Sequence, residues 1–211
     1  MEFRLIYRGA LPSGDARGAP REKHRIRKEF HPQLRELWSQ DPGLHAQSKQ
    51  RFLRSDVDGT IYPAEYEGQP FAKTWLEWIA DDHERCGTRF VPLVSNKGGF
   101  SCALDILFLR RDAPGGLLGS GGDLDNRLKV LFDALKMPGS NDELGGYSID
   151  AANENPFFCL LEDDRLVSRV SVTTDRLIKP LEHNEKQDDV FLVIHVTVVN
   201  PLAIFAGGRL V

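Results

Sequence analysis

The chain has 211 residues, of which 41% are hydrophobic and 27% charged, with a formal net charge of −4. That suffices for a sizeable core in one domain, while no apolar run approaches a membrane span and Met1-Glu2-Phe3-Arg4 lacks a signal-peptide shape. The acidic balance argues against a surface built wholly for nucleic acid, because Lys and Arg contacts to phosphate supply most non-specific affinity. Cys86, Cys102 and Cys159 are odd in number and lack metal-ligand spacing. They read as reduced thiols of a cytoplasmic protein, without zinc and without a membrane partner.

Residues 2–8 alternate as a strand, with Phe3, Leu5 and Tyr7 on one face. Residues 9–20 are a Gly/Pro/Ala loop. Residues 21–38 read as a helix whose inner stripe is Ile26, Phe30, Leu34, Leu37 and Trp38; Pro32 is expected to kink or divide it. Arg21, Lys23, Arg25, Arg27, Lys28 and Arg35 fall within fifteen residues of it, as either a localised basic face or a solvated one. Residues 41–88 are the least determined part, an elaboration or cap in which 71–83 reads as helix through Trp75, Trp78 and Ile79. From residue 89 the chain turns to β: 90–94, then 100–110 with Asp105 among apolar residues. Further strands are expected at 157–161, running on into 166–172, and at 190–199, with the acid-rich stretch 181–189 as the turn before the last.

The chemistry concentrates between the β runs. Leu124, Leu128, Leu131 and Leu135 form one apolar helical stripe, and Asp125, Lys129 and Asp133 follow one another at four-residue spacing on a neighbouring face. Gly121 and Gly122 allow a sharp entry, and Asp123 or Asp125 suits a helix N-terminus as cap. A second acidic cluster, Glu162-Asp163-Asp164, follows the apolar run at 157–161. Several oxygen ligands arriving from different elements are what hard divalent cations take.

This pattern resembles the RusA-type Holliday-junction resolvases, whose hallmark is Asp-x-Asp-Asn-x-x-Lys-x-x-x-Asp-Ala-Leu followed by an Asp-Asp pair. Asp123, Asp125, Asn126, Lys129, Asp133, Ala134, Leu135, Asp163 and Asp164 complete it, over roughly residues 101–199. The resemblance implies Asp123, Asp125 and Asp164 as ligands of Mg²⁺, with Mn²⁺ as a substitute, and Lys129 near the scissile phosphate. Asn126, Asp133 and Asp163 would orient these groups, and Asp133 could equally pair with Lys129 four residues away. It implies an endonuclease on branched DNA acting as a homodimer. Two features depart from the family: the long link 136–155, and a chain nearly twice the size of the small resolvases.

The expected fold is therefore α+β in a single RusA-like domain, with its core at about 1–38 and 89–200 and the inserted elaboration at 41–88. A small mixed sheet of four or five strands would carry the two main helices on one face. The second reading is a nucleic-acid-binding or assembly protein that keeps the fold without turnover. A third competes through Asp56-Val57-Asp58-Gly59-Thr60, which matches the nucleophile motif of haloacid-dehalogenase-type phosphatases. That nucleophile must end a buried parallel strand, yet Arg51 and Arg54 precede it, so turn chemistry suffices to explain the motif.

Overall fold

The computed structural model describes residues 1–12, 19–66, 68–111, 124–178, 186 and 189–199. In chain order its elements are β1 (Glu2–Ala10), α1 (Ala19–Gln40), α2 (Pro42–Lys49), β2 (Arg51–Arg54), β3 (Ile61–Pro63), β4 (Lys73–Thr74), α3 (Trp75–Asp82) and β5 (Glu84–Arg85). There follow β6 (Thr88–Val94), β7 (Ser101–Arg110), α4 (Leu124–Leu135), β8 (Phe157–Leu161), β9 (Val167–Arg176) and β10 (Asp189–Val199). The class is α+β, as the residue pattern leads one to expect.

The main sheet has the order β1-β10-β7-β9, antiparallel except for the parallel β7–β9 pair. Its strands are built by period-two alternation. Leu5 and Tyr7, then Leu104, Ile106 and Phe108, then Leu192, Ile194 and Val196 bury one face. Ile6 and Leu107 stand on the other, partly exposed. Asp105 lies on that outer face too, held by Arg169 of the neighbouring strand at 3.1 Å. It belongs to the solvent side of the sheet.

The remaining β structure is partitioned differently from the expectation. The runs at 90–94 and 157–161 do not join the main sheet; β6 and β8 pair with each other in parallel, with β5 at the edge. All five residues of β8 are buried, the continuous apolar run of a strand covered on both faces. Nor does β8 run on into the next strand. The chain breaks at Glu162–Leu166, forms a short 3₁₀ turn at Asp164–Leu166, and crosses to the main sheet as the largely exposed edge strand β9.

Helix α1 ties these parts together. Ile26, Phe30, Leu34 and Trp38 recur at fourfold spacing and are all buried, in one core with strands of both sheets. That unbroken stripe carries the helix through Pro32 as a single element, so of the kink or division expected there the division does not occur. Tertiary packing outweighs the lost hydrogen bond.

The stretch 41–88 packs on the rest of the chain, α2 against α1 and α3 against β6. α2 starts at Pro42 behind Asp41, whose carboxylate accepts from the Leu44 amide. β3-β2-β4 form a small antiparallel sheet, and α3 packs on β6 through Ala80 and Ile79. α3 begins at Trp75 rather than near 71, because Thr74 and Glu77 form a capping box there. Phe71 itself is 88% exposed with φ 64°, outside any helix.

Candidate functional site

Helix α4 carries the motif. Val130, Leu131, Ala134 and Leu135 bury its inner stripe, which leaves Asp125 and Lys129 exposed and Asn126 half-buried. Asp125 sits in the first turn, where the helix dipole favours a carboxylate, and its Oδ1 accepts from the Asn126 amide at 2.8 Å. Lys129, one turn further, has no ion-pair partner among the described residues. Asp123, with Gly121 and Gly122, lies outside the described residues, as do the turn at 181–185 and the loop at 13–18.

The far end of the helix is clamped. Asp133 pairs with Lys23 of α1 at 2.6 Å and with Lys136 at 3.1 Å, and not with Lys129. Burial pushes its carboxyl up, but the hydrogen bonds from the two lysines outweigh that and hold it below the ordinary carboxylate value. Lys136 extends the pair to Asp164, 3.6 Å away. Although burial pulls it down, the Asp133 hydrogen bond and the charges of Asp133 and Asp164 hold its ammonium above its usual value.

Beneath this network lies a residue that spacing alone does not single out. Arg27 of α1 is 1% exposed. Its Nε donates to the Lys136 carbonyl at 2.8 Å and its Nη2 to the Asp133 carbonyl at 2.7 Å. A helix ends with carbonyls that have no intrahelical partner, and a cation there also meets the negative end of the dipole. Arg27 supplies both, and so fixes where α4 stops relative to α1.

The acidic run after β8 fans out. Glu162 accepts from the Asn96 amide at 2.8 Å and stands 3.6 Å from His83 Nε2. Asp163 caps the 3₁₀ turn and binds Arg165, whose hydrogen bonds hold its carboxyl well below the usual range. Only Asp164 faces α4. The structure thus joins Asp164, Lys136, Asp133 and Lys23, while Asp125 lies at the opposite end of the helix, roughly 16 Å of axial rise from Lys136. Among the described residues no three His, Cys, Asp or Glu side chains form a metal-holding group.

The basic run of α1 is consumed by tertiary contacts rather than displayed. Lys23 holds Asp133, Lys28 holds Glu154 at 2.7 Å, Arg25 holds Glu22 and the Tyr7 hydroxyl, and Arg21 lies over the Tyr147 ring. Asp56 and Asp58 occupy the exposed turn between β2 and β3. The Thr60 and Ser55 side chains and the Thr60 amide hold the Asp58 carboxyl down at about 2. β2 is the centre of an antiparallel sheet. It is not the buried parallel strand that a phosphatase nucleophile needs.

A well-formed cavity lies elsewhere. It encloses about 600 Å³ between α1, α2, α3 and the end of β6, lined by Trp38, Trp75, Trp78, His83, Leu93 and Phe100 among others. None of Asp125, Lys129, Asp133 or Asp164 reaches it.

No family model, no curated protein and no solved structure matches this chain. No helix among the described residues is long and apolar enough to cross a membrane.

Proposed function

We propose that the protein is a Mg²⁺-dependent endonuclease of branched DNA, similar in chemistry to the RusA-type resolvases and acting as a homodimer. The observation that carries the reading is the division of α4. Its buried stripe and clamped C-terminal end hold the helix in place, while Asp125 in its first turn and Lys129 one turn further remain solvent-facing. A helix serving only the core would have no need of that Asp-x-Asp-Asn-x-x-Lys pattern.

Asp125 and Asp164 present exposed carboxylates, the hard oxygen donors that Mg²⁺ and Mn²⁺ take. With Asp123 they are the residues that would hold the ion. Such an ion, when bound, would lower the pKa of a water and offset the negative charge that develops on the phosphate. Lys129 contributes an ammonium to the phosphate oxygens. Asp133 and Lys136 act as positioning residues, since Lys136 is bound to both Asp133 and Asp164. Asp164 and Asp125 stand at opposite ends of α4, so one ion would be shared by both only after a shift of the turn at 162–166 relative to the helix.

The test is cleavage of labelled four-way junction, flap, single-stranded and duplex DNA with Mg²⁺ or Mn²⁺. Paired nicks in the junction that vanish with Asp125→Asn support the reading. Lys129→Ala should abolish cutting while DNA binding is retained. Absence of cleavage on every substrate with either metal, beside intact DNA binding, would favour a binding protein without turnover.

A further inference from the structure

The main sheet ends in two edge strands that are finished differently. On β1 the middle residue is occupied: the Ile6 amide donates to Gln33 Oε1 at 2.9 Å, and Gln33 Nε2 donates to the Ile6 carbonyl at 2.7 Å. A side chain of α1 thus stands where another strand would add. On β9, at the opposite edge, no other element guards the outward backbone among the described residues.

Every second residue of an edge strand turns its N–H and C=O away from the sheet, which makes an open edge a template for another strand. Proteins blunt such edges with Pro, Lys or short length. β9 runs for ten residues without Pro, Lys or Gly. Val170 and Val172 lie on its core side, beside the buried Leu104 and Ile106 of β7. Val170 is nevertheless 43% exposed, because no strand lies beyond it.

The strand is also complementary to itself. In an antiparallel pair that keeps both core faces on one side, partners are both odd or both even in number. Two such registers pair most of β9, one centred on Ser171 and one on Val172. Centring on Val172 sets Arg169 of each copy against Asp175 of the other, Val170 against Thr174 and Ser171 against Thr173. Centring on Ser171 sets Arg169 against Thr173 and matches no charge. Both charged groups are available. The Arg169 side chain holds Asp105 at 3.1 Å yet is 64% exposed, with N–H groups to spare for a second carboxylate. Asp175 is exposed and accepts from the Arg176 amide at 2.7 Å.

We propose that two copies of the chain join edge to edge through β9, antiparallel about a two-fold axis at Val172, in one continuous eight-stranded sheet. The axis uses the same edge of both copies, and Gln33 guards the outer edges, so the assembly closes as a dimer instead of growing into a filament. This gives a surface to the homodimer of the cleavage reading, on which its use in paired nicking rests. Association is measured without DNA, so failure of the one is distinguishable from failure of the other.

Full-length protein is followed by sedimentation equilibrium at micromolar concentration, where a dimer is expected. Arg169→Asp and Asp175→Arg each set like charges opposite one another at both symmetry-related pairs, and should weaken association by about tenfold or more. The double variant restores opposite charges, and with them the wild-type association. Cys86 is the one native thiol that is not fully buried, so linking is tested in a Cys86→Ser chain. There Val172→Cys should join two copies by a disulfide on mild oxidation, since directly opposed cross-strand residues stand within disulfide reach. Ser168→Cys should not, because each thiol would face Arg176, about 26 Å along the strand from its twin. A monomer throughout, association unmoved by either reversal, a double variant no tighter than the single ones, or linking no better through Val172→Cys than through Ser168→Cys would overturn the proposal.

Discussion

Two regions of this protein treat charge in opposite ways. Around α3 the acid and base groups bordering the cavity are matched at close range, Asp82 alone taking contacts from Arg54 and Lys97. On α4, Asp125 and Lys129 stand in solvent, while the helix is tied down at its C-terminal end by Lys23, Arg27 and Lys136 and, in its first turns, by the buried Arg127, which donates to the Leu11 carbonyl. Matched charge serves the fold. Unmatched charge on a firmly held helix suits an ionic ligand, and it costs little in stability because the groups remain hydrated.

The contrast can be broken first at its functional end. Asp125→Asn and Asp164→Asn should each reduce cleavage on the order of a hundredfold or more while shifting thermal stability by less than about 0.5 kcal/mol, since both side chains are exposed. A large loss of stability in either would move these residues into the structural class and remove the contrast.

The clamp should behave in reverse. Arg27→Met removes a buried cation that serves two helix-end carbonyls, and should cost about 3 kcal/mol in denaturant unfolding. A cost near zero would mean that α4 is held by its apolar stripe alone.

Acid should reach α1 before it reaches the exposed site. Burial, then the Arg27 charge, pushes His24 down to about 4, so it stays neutral in the native protein while the unfolded chain takes up a proton near its ordinary value. The unfolded state then binds more protons between pH 6.5 and about 4, and stability falls as pH drops through that window, on the order of 3 kcal/mol in all. His31 is shifted the same way, again by burial. Unfolding followed against pH should lose this slope in part with His24→Phe.

The smallest effect concerns the Lys23–Asp133 pair. Asp133 is held below its ordinary value, so its contribution is present above that value and is lost as pH falls through the native one. Asp133→Asn should cost about 1 kcal/mol at neutral pH and nothing at pH 2. An equal cost at both would assign the effect to packing.

Much of this was legible in the residues, and the limits have physical causes. The alternating strand at 2–8, the buried run at 157–161 and the stripe of α4 are local patterns, and each forms the element that its period dictates. Which strand pairs with which is non-local, so the separation of β6 and β8 from the main sheet left no trace in their own sequence. The basic residues of α1 were ambiguous for the same reason: Asp133 and Glu154 lie more than a hundred residues away along the chain. The tryptophans at 75 and 78 were legible as packing residues, yet the cavity they share with Trp38 exists only once α1 and α3 meet. The acidic run 162–164 read as one cluster, but a strand end followed by a 3₁₀ turn points its side chains in three directions.

The central claim is that the exposed face of α4 performs phosphodiester chemistry. Its most direct test is the four-way junction assay with Mg²⁺, wild type beside Asp125→Asn at equal stability and equal DNA affinity. The account predicts paired nicks from the wild type and none from the variant. Undiminished cutting by Asp125→Asn would contradict it.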